Sequence, residues 1–353
     1  MPTLAHRSIR HCLQMIGPFS PSDRIPQAGQ KQFYAFITGL YQAMLLSPER
    51  YFVFPAPYEA YMAKKTSLPT LTPEKHHKQD SRESTLRNII QQSISFYPLF
   101  LRQLGLHGRA QGDALLLSLD DYQAVLHQMR RCHDSKYNEE RFRVLEEQGF
   151  CIAESENAVR ISHKAYPQMM QGLLYLCADK DSKYALTNYL RLDFKNAGGA
   201  PSVSDICRTL PEDTAAIIHQ VENALSGLNL KAKVKPLRGI VSDFQWKVEY
   251  TFKGKNIFGF YADHQQFLLC LYFNDHQLIS AYADQLLQEN SALFDWFSSQ
   301  FPERLCTCPY NRRIRLGSVH RRICGLSNRA EVVNPSVSDV ENALIVLKQF
   351  RSL

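Results

Sequence analysis

The stretch FQWKVEYTFKGKNIFGFYADHQQFLLCLYF, residues 244–273, decides the fold of the C-terminal half of this chain. Apolar and polar residues alternate over 246–252, which is typical of a strand with one buried face. Residues 253–255 supply a turn, and residues 267–273 are almost continuously apolar. A strand of the latter kind is covered on both faces, so it belongs inside a sheet. We therefore predict an antiparallel sheet in this half.

Helical patterns surround these strands. Residues 211–230, PEDTAAIIHQVENALSGLNL, have acids in the first turn and a glycine near the end, which is typical of a helix. Further helices are predicted C-terminal to the strands, at 277–287 and 291–299. Ser338 and Glu341 have the spacing of a capping box, which predicts the start of the last helix. The predicted class is α+β, with an antiparallel sheet flanked by helices over 199–353.

The strand run WKVEYTFKGKNIFGFYADHQQFLLCLYF, with the helices after it, resembles the small uncharacterised α+β domains of the YdhG/YjbR type. The resemblance covers residues 240–320 of this chain. It implies a small antiparallel sheet with flanking helices. It carries no functional residues over to this sequence.

The N-terminal half is predicted to be helical and divided into segments. Residues 1–30 contain prolines and lack sustained periodicity, so we expect poor order there. Residues 31–65 carry an apolar helical stripe, and residues 66–84 mix prolines with polar and charged residues, which predicts a linker. We expect a further domain over 85–198, which ends at the glycine-containing break 196–202.

Three helices followed by a hairpin are predicted within 85–198, and this is the order of a winged-helix unit. The alternative is a small helical domain with a β-hairpin. In a winged helix the third helix would read DNA. Here it is YNEERFRVLEEQ, residues 137–148, with four glutamates against two arginines. Because a phosphate-binding surface is basic, we do not expect this helix to read DNA.

The chain of 353 residues has a formal net charge of +7, and the excess is local. Between Glu303 and Glu331 there are seven arginines and no carboxylate. The arginines are at positions 304, 312, 313, 315, 321, 322 and 329. This segment is therefore a basic patch on a chain that is otherwise close to neutral.

The sequence shows no sign of secretion or membrane insertion. The N-terminus lacks the apolar core of a signal peptide, and no uncharged run is apolar enough for a span. The nine cysteines are odd in number and mostly lie in apolar stretches, which predicts reduced thiols. We expect a cytoplasmic protein without a membrane partner.

Residues 311–324, NRRIRLGSVHRRIC, predict a β-hairpin, because Gly317-Ser318 suits a two-residue type II′ turn. In that register Arg315 faces His320, and Arg313 faces Arg322. The face predicted to pack on the core contains Ile314, Leu316, Val319 and Ile323. The opposite face contains Arg313, Arg315, His320, Arg322 and Cys324.

The arginines of this hairpin predict an anion-binding surface. Like charges directly across a hairpin are destabilising unless solvent or an anion separates them. Arginine also suits bidentate binding of phosphate or carboxylate. The predicted anion-binding residues are Arg312, Arg313, Arg315, Arg321 and Arg322. The expected partner is an anionic small molecule or an acidic protein surface. Nucleic acid is the alternative, with Tyr310 and His320 as stacking residues.

The thiols near the hairpin predict a second kind of site. Cys306, Cys308, His320 and Cys324 have the spacing C-x-C-x11-H-x3-C, which suits structural zinc. However, His320 and Cys324 are about 13 Å apart along a regular strand. Both could bind one ion only if the strand ended or bent near Arg322. In another interpretation, the nearby arginines activate the thiols and His320 acts as a base.

The sequence leaves binding and catalysis open. It contains none of the common nucleotide-binding, metalloprotease, serine-hydrolase or calcium-loop motifs. We expect a binding or regulatory protein that uses its basic C-terminal module. The alternative is an enzyme with a site between the halves near Asp193 or Asp263, although such isolated acids are more often surface or capping carboxylates. If acids of the helical half neutralise the arginines, the binding hypothesis fails.

Overall fold

The computed structural model describes residues 4–53, 73–131, 135–236, 244–273, 275–301, 311–324 and 328–351. These residues form two compact units, each with its own hydrophobic core. The first unit contains the described residues up to Ala200 together with Pro236, and the second contains the others. Helices and antiparallel sheets occur together, so the predicted α+β class is confirmed.

Helices dominate the first unit. In chain order they are α1 (Leu4–Met15), α2 (Gln27–Leu46), α3 (Pro73–His107), α4 (Leu119–Met129), α5 (Asn138–Glu147), α6 (Met169–Cys177) and α7 (Ala185–Arg191). The strands of this unit are β1 (Arg109–Gln111), β2 (Ala114–Ser118), β3 (Phe150–Glu154) and β4 (Ala158–His163). They form an antiparallel sheet in the order β1-β2-β4-β3.

Two glycines let α2 and α6 approach closely. A Cβ atom on Gly172 would lie 2.6 Å from the carbonyl oxygen of Gly29. A Cβ atom on Gly29 would lie 2.7 Å from the carbonyl oxygen of Gln168. Because real Cβ contacts are longer than this, a larger residue at either position would push the two helices apart. The crossing helps to bury Phe33 and Leu173 in the core.

The order of elements from α3 to β4 is helix, strands, two helices and a hairpin. The prediction had three helices followed by a hairpin and did not include β1 and β2, and the winged-helix assignment stays a prediction. In α5, Arg141 is buried, while Glu139, Arg143, Glu146 and Glu147 are exposed. The exposed side of α5 is therefore acidic, which agrees with the expectation that it does not read DNA.

The structure differs from the sequence prediction in two N-terminal segments. Where poor order was expected, α1 is a helix that buries Ala5, Ile9 and Cys12. The predicted linker 66–84 overlaps α3, which begins at Pro73, while residues 66–72 lie outside the described residues. The helix continues through Pro98, whose carbonyl oxygen accepts a hydrogen bond from Tyr189 at 2.7 Å.

The second unit contains the predicted sheet. Its helices are α8 (Val203–Cys207), α9 (Glu212–Leu225), α10 (His276–Glu289), α11 (Ser291–Ser299) and α12 (Val337–Arg351). Its strands are β5 (Lys231–Val234), β6 (Trp246–Phe252), β7 (Lys255–Ala262), β8 (Phe267–Tyr272), β9 (Asn311–Leu316), β10 (Val319–Cys324) and β11 (Arg329–Val333). Five strands pair antiparallel in the order β11-β8-β7-β6-β5, and β9 and β10 form a separate hairpin.

The apolar strand β8 lies inside the five-stranded sheet, between β7 and β11. Leu269 points to one face and Cys270 to the other, and both are fully buried. The tight turn between β6 and β7 has positive φ at Lys253 and Gly254, which a type I′ hairpin turn requires. Strands β6, β7 and β8 therefore form from the residues on which the sheet was predicted, whereas β5 and β11 were not predicted.

The N-terminal cap of α12 differs from the predicted one. The Asp339 carboxylate accepts hydrogen bonds from the backbone and hydroxyl of Ser336, and Ser336 accepts one from the backbone of Asp339. Asp339 also accepts from the indole of Trp296 at 2.8 Å. The predicted capping pair Ser338 and Glu341 was therefore wrong by two positions. Asp339 both caps α12 and accepts a hydrogen bond from Trp296 of α11.

Candidate anion-binding site

The β9–β10 hairpin has the predicted register. Arg315 pairs with His320, and Arg313 pairs with Arg322. Gly317 has a φ of +59°, a value that L side chains disfavour and that the first position of a II′ turn requires. The glycine at position 317 therefore fixes the register of the hairpin. The register in turn determines which side chains share a face.

One face of the hairpin packs on the core of the second unit. Ile314, Leu316 and Ile323 are buried, as predicted. Val319 is 50% exposed, so its predicted packing on the core is wrong. It lies at the open end of this face, directly after the turn, and the core does not extend that far.

Arg321 lies on the core-facing side of the hairpin, where its side chain already makes hydrogen bonds. Its guanidinium donates to the carbonyl oxygens of Ser298 at 3.3 Å and Phe301 at 2.6 Å. Carbonyl groups at a helix C-terminus lack partners within the helix, and a cation satisfies them well. Arg321 therefore attaches the hairpin to the end of α11, and we leave it out of the anion-binding set.

The opposite face and α10 enclose a shallow depression with a volume of about 450 Å³, which we call the hairpin depression. Its lining residues are His276, Gln277, Ser280, Ala281 and Asp284 on α10, and Arg313, Ile314, Arg315 and His320 on the hairpin. The structure thus brings Arg313, Arg315 and His320 together, as predicted. Arg312 and Arg322 are exposed but do not line the hairpin depression.

Two contacts hold β9 against α10. The backbone N–H of Arg315 donates to the hydroxyl oxygen of Ser280 at 2.9 Å. The Arg315 guanidinium forms a hydrogen-bonded ion pair with Asp284. Both side chains of the pair are partly solvated, so the pair contributes about 0–1 kcal/mol to stability. Its main effect is to fix the position of Arg315 at the edge of the hairpin depression.

Arg313 and His276 also line the hairpin depression and have charged or titratable side chains. The Nδ1 atom of His276 lies 2.8 Å from Oδ1 of Asp275, which also caps α10 by accepting from the backbone of Gln277. The Arg313 side chain is exposed and makes no hydrogen bond or ion pair within the part of the chain that the structure describes. Its N–H donors are therefore available to a ligand.

The charges of the lining residues favour an anion. Two arginines against one aspartate leave one positive charge when both histidines are neutral. His320 and Ser280 can each contribute a hydrogen-bond donor, whereas Nδ1 of His276 faces the Asp275 carboxylate. The hairpin depression thus offers the Arg313 guanidinium and two further donors, a set that suits a single carboxylate or a phosphate group.

Only part of the predicted metal site lies among the described residues. Cys306 and Cys308 lie outside those residues. Within the described chain, no three metal-binding side chains are close enough to hold an ion. Strand β10 continues to Cys324, so the break near Arg322 that a shared ion would require does not occur. A zinc site that includes Cys306 and Cys308 stays a prediction.

The four buried cysteines of the described residues show no sign of reactivity. Cys12, Cys177, Cys207 and Cys270 are free and buried. Burial raises the pKa of Cys12, Cys177 and Cys270 to about 12, and that of Cys207 to about 11. Such thiols stay protonated near neutral pH and behave as small apolar side chains.

Asp193 and Asp263, the acids named for the enzyme alternative, both accept hydrogen bonds within local turns. Asp193 accepts hydrogen bonds from the backbone and side chain of Asn196, at 3.1 and 2.9 Å. Asp263 accepts from the backbone N–H groups of Gln265 and Gln266, at 2.6 and 2.7 Å. Each carboxylate thus satisfies local backbone donors. Neither gives the enzyme alternative a supporting observation.

Sequence reasoning missed the half of the site that α10 supplies. His276, Ser280 and Asp284 recur every four residues, so they line one side of the helix. The buried residues Ile279, Tyr282, Ala283 and Leu286 lie on another side. The polar stripe was therefore a readable signal. Its position beside the hairpin was not, because that contact joins residues 35 positions apart.

A scan against protein-family models and searches of curated proteins and solved structures find no match to this chain. Among the described helices, none is both long and apolar enough to cross a membrane. A functional proposal for this chain therefore depends on the geometry of the hairpin depression.

Proposed function

We propose that this chain is a binding protein, and that the hairpin depression holds an anionic group of its partner. One observation carries the proposal: Arg313 lines the hairpin depression, is exposed, and has no hydrogen-bond or ion-pair partner among the described residues. A guanidinium in this position offers parallel N–H donors to a carboxylate or phosphate. His320 and Ser280 also line the hairpin depression and can donate hydrogen bonds.

Arg315 supports the proposal in a different way. Because Asp284 pairs with it, Arg315 is held in place and adds little net charge. The hairpin depression therefore presents a modest positive charge, as expected of a site that binds reversibly. A strongly positive pocket would have required more uncompensated arginines.

The test is a titration with sulfate, an anion whose charge does not change near neutral pH. We expect NMR signals of His320 and Arg313 to shift as sulfate is added at low ionic strength. Replacing Arg313 with glutamine should weaken binding about tenfold, because a hydrogen bond between charged groups contributes about 1.5 kcal/mol or more.

Arg322→Gln is the matched control. Arg322 lies directly across from Arg313 on the same face, yet it does not line the hairpin depression. Both variants remove one positive charge, so they change the long-range field alike. If they weaken sulfate binding equally, the effect is general electrostatics and the site is wrong. If sulfate shifts no signal of His320 or Arg313, the proposed function fails.

A further inference from the structure

The five-stranded sheet of the second unit has one apolar face and one polar face. Side chains of the apolar face meet the helices, and the hydroxyl of Tyr250, for example, donates to Glu222 of α9. Alternation along the strands puts the other side chains on the opposite face, which we call the polar sheet face. It carries Tyr261, Tyr272 and the charged residues Lys231, Lys233, Lys235, Lys247, Glu249, Arg329 and Glu331.

Cations outnumber acids on the polar sheet face. Five cations against two acids leave a net charge of +3. One carboxylate, that of Glu249, serves two ammonium groups, since its oxygens lie 2.7 Å from Nζ of Lys235 and 3.0 Å from Nζ of Lys247. The side chains of Lys231 and Lys233 are exposed and make no hydrogen bond or ion pair among the described residues. These two cations are therefore available to an anion.

The positive charge extends across the sheet. Strands β5 and β11 are its two edges, about 19 Å apart at four strand spacings. Lysines on an edge strand also prevent pairing with other strands, which would account for those of β5. That role does not account for Lys247, which lies on the inner strand β6. A cationic surface of this width suits an extended polyanion.

Aromatic rings lie among these cations. Nζ of Lys247 is 4.9 Å from the centroid of the Tyr261 ring. The guanidinium carbon of Arg329 is 5.2 Å from the same centroid and 6.0 Å from that of Tyr272. The ring of Phe244 also contacts Tyr261, at 5.4 Å between centroids. All three rings are partly exposed. Cations interleaved with accessible rings are what binding of unpaired bases requires.

We propose that the polar sheet face binds a single-stranded nucleic acid. Phosphates contact Lys231 and Lys233, and a base stacks on the rings at Tyr261. A duplex does not fit this description, because its bases are already stacked on one another. Since every base has a flat face, we expect little sequence preference. The polar sheet face shares no residue with the hairpin depression, so the inference does not depend on the proposed function.

The salt dependence of binding tests the phosphate contacts. The probe is a fluorescent oligothymidylate of about ten nucleotides, titrated with the full chain at several salt concentrations. Each phosphate contact adds about 0.7 to the slope of log affinity against log salt for a single strand. Lys233→Gln should therefore reduce that slope by about 0.7. Lys348→Gln is the matched control, because Lys348 is an exposed lysine on α12, and it should leave the slope unchanged.

Two variants at one position test the stacking. Tyr261→Phe and Tyr261→Leu both remove the hydroxyl to which Arg329 donates at 2.9 Å, but only the second removes the ring. We expect Tyr261→Leu to weaken oligothymidylate binding about tenfold and Tyr261→Phe to leave it nearly unchanged. Equal losses in the two variants would overturn the stacking role.

The remaining outcomes decide between this surface and others. Equal slopes for Lys233→Gln and Lys348→Gln would overturn the inference. A slope that falls in Arg313→Gln and not in Lys233→Gln would place the nucleic acid on the hairpin and overturn it as well. Inorganic polyphosphate that binds as tightly as oligothymidylate, or anionic phospholipid vesicles that bind when the oligonucleotide does not, would overturn it in favour of another polyanion. None of these results changes the sulfate test of the hairpin depression, so the two proposals fail separately.

Discussion

His163 shows how one buried side chain makes stability depend on pH. Its ring contacts Phe36, Phe150 and Tyr166. Its Nδ1 accepts hydrogen bonds from the backbone N–H groups of Ala165 and Tyr166, at 3.2 and 3.1 Å. That nitrogen must therefore be unprotonated. Burial lowers the pKa of His163, so the folded state favours the neutral ring.

We expect the protein to lose stability as the pH falls through the usual histidine range near 6.5, because the unfolded chain takes up the proton first. Each unit by which folding lowers this pKa corresponds to about 1.4 kcal/mol. His163→Asn places an amide oxygen where Nδ1 accepts and removes the titration. Between pH 7.5 and pH 5.5, the urea midpoint of this variant should fall less than that of the parent protein. Equal falls in both proteins would contradict the assignment.

Arg321 and Asp339 show why the roles of some residues could not be predicted from the sequence. The alternation of the hairpin places Arg321 on the core-facing side, but only the fold reveals the carbonyl groups of α11 that it meets there. Similarly, Ser338 and Glu341 have a valid capping pattern. The structure uses Ser336 and Asp339 because Trp296 also binds that aspartate. In both cases the deciding partner is distant along the chain.

At the scale of elements, strands β6 to β10 could be predicted from the sequence, whereas β5, β11 and α1 were missed. Alternation and a positive-φ glycine are local features, so the strands 246–252 and the register around Gly317 followed from them. Helix α1 has a regular apolar stripe, but it includes Ala5 and Cys12, which are weak hydrophobic signals. The prolines that follow it hid the pattern further.

The crossing of α2 and α6 gives a prediction about elements. Gly172→Ala should destabilise the protein by about 1–3 kcal/mol, because the new Cβ would meet the backbone of Gly29. Gly39→Ala is the control within α2. Its Cβ would have nothing within 4 Å, so it should stabilise by about 0.5–1 kcal/mol. Denaturant unfolding measures both. Similar changes in the two variants would show that the crossing does not constrain side-chain size.

At the scale of the whole molecule, the chain consists of two units with separate cores. Phe100 is fully buried in the first core, and Phe297 is fully buried in the second. A unit with its own core can open without disturbing contacts in the other. Each unit is therefore expected to have its own opening free energy.

Native-state hydrogen exchange tests this independence on the full chain. Phe100→Ala and Phe297→Ala should each destabilise by about 3–5 kcal/mol through the cavity that they leave. We expect each variant to lose amide protection in its own unit and to keep it in the other. Loss of protection throughout the chain in either variant would mean that the two units unfold as one.

The position of α10 along β9 has a consequence for how partners can be recognised. A free strand edge attracts other strands through its backbone, whatever their sequence. On β9, Ser280 already occupies the outward N–H of Arg315, and a helix lies alongside. A partner at this surface cannot simply extend the hairpin by one more strand. Recognition there must use side chains, which makes it selective, adjustable by single mutations, and protected from edge-to-edge aggregation.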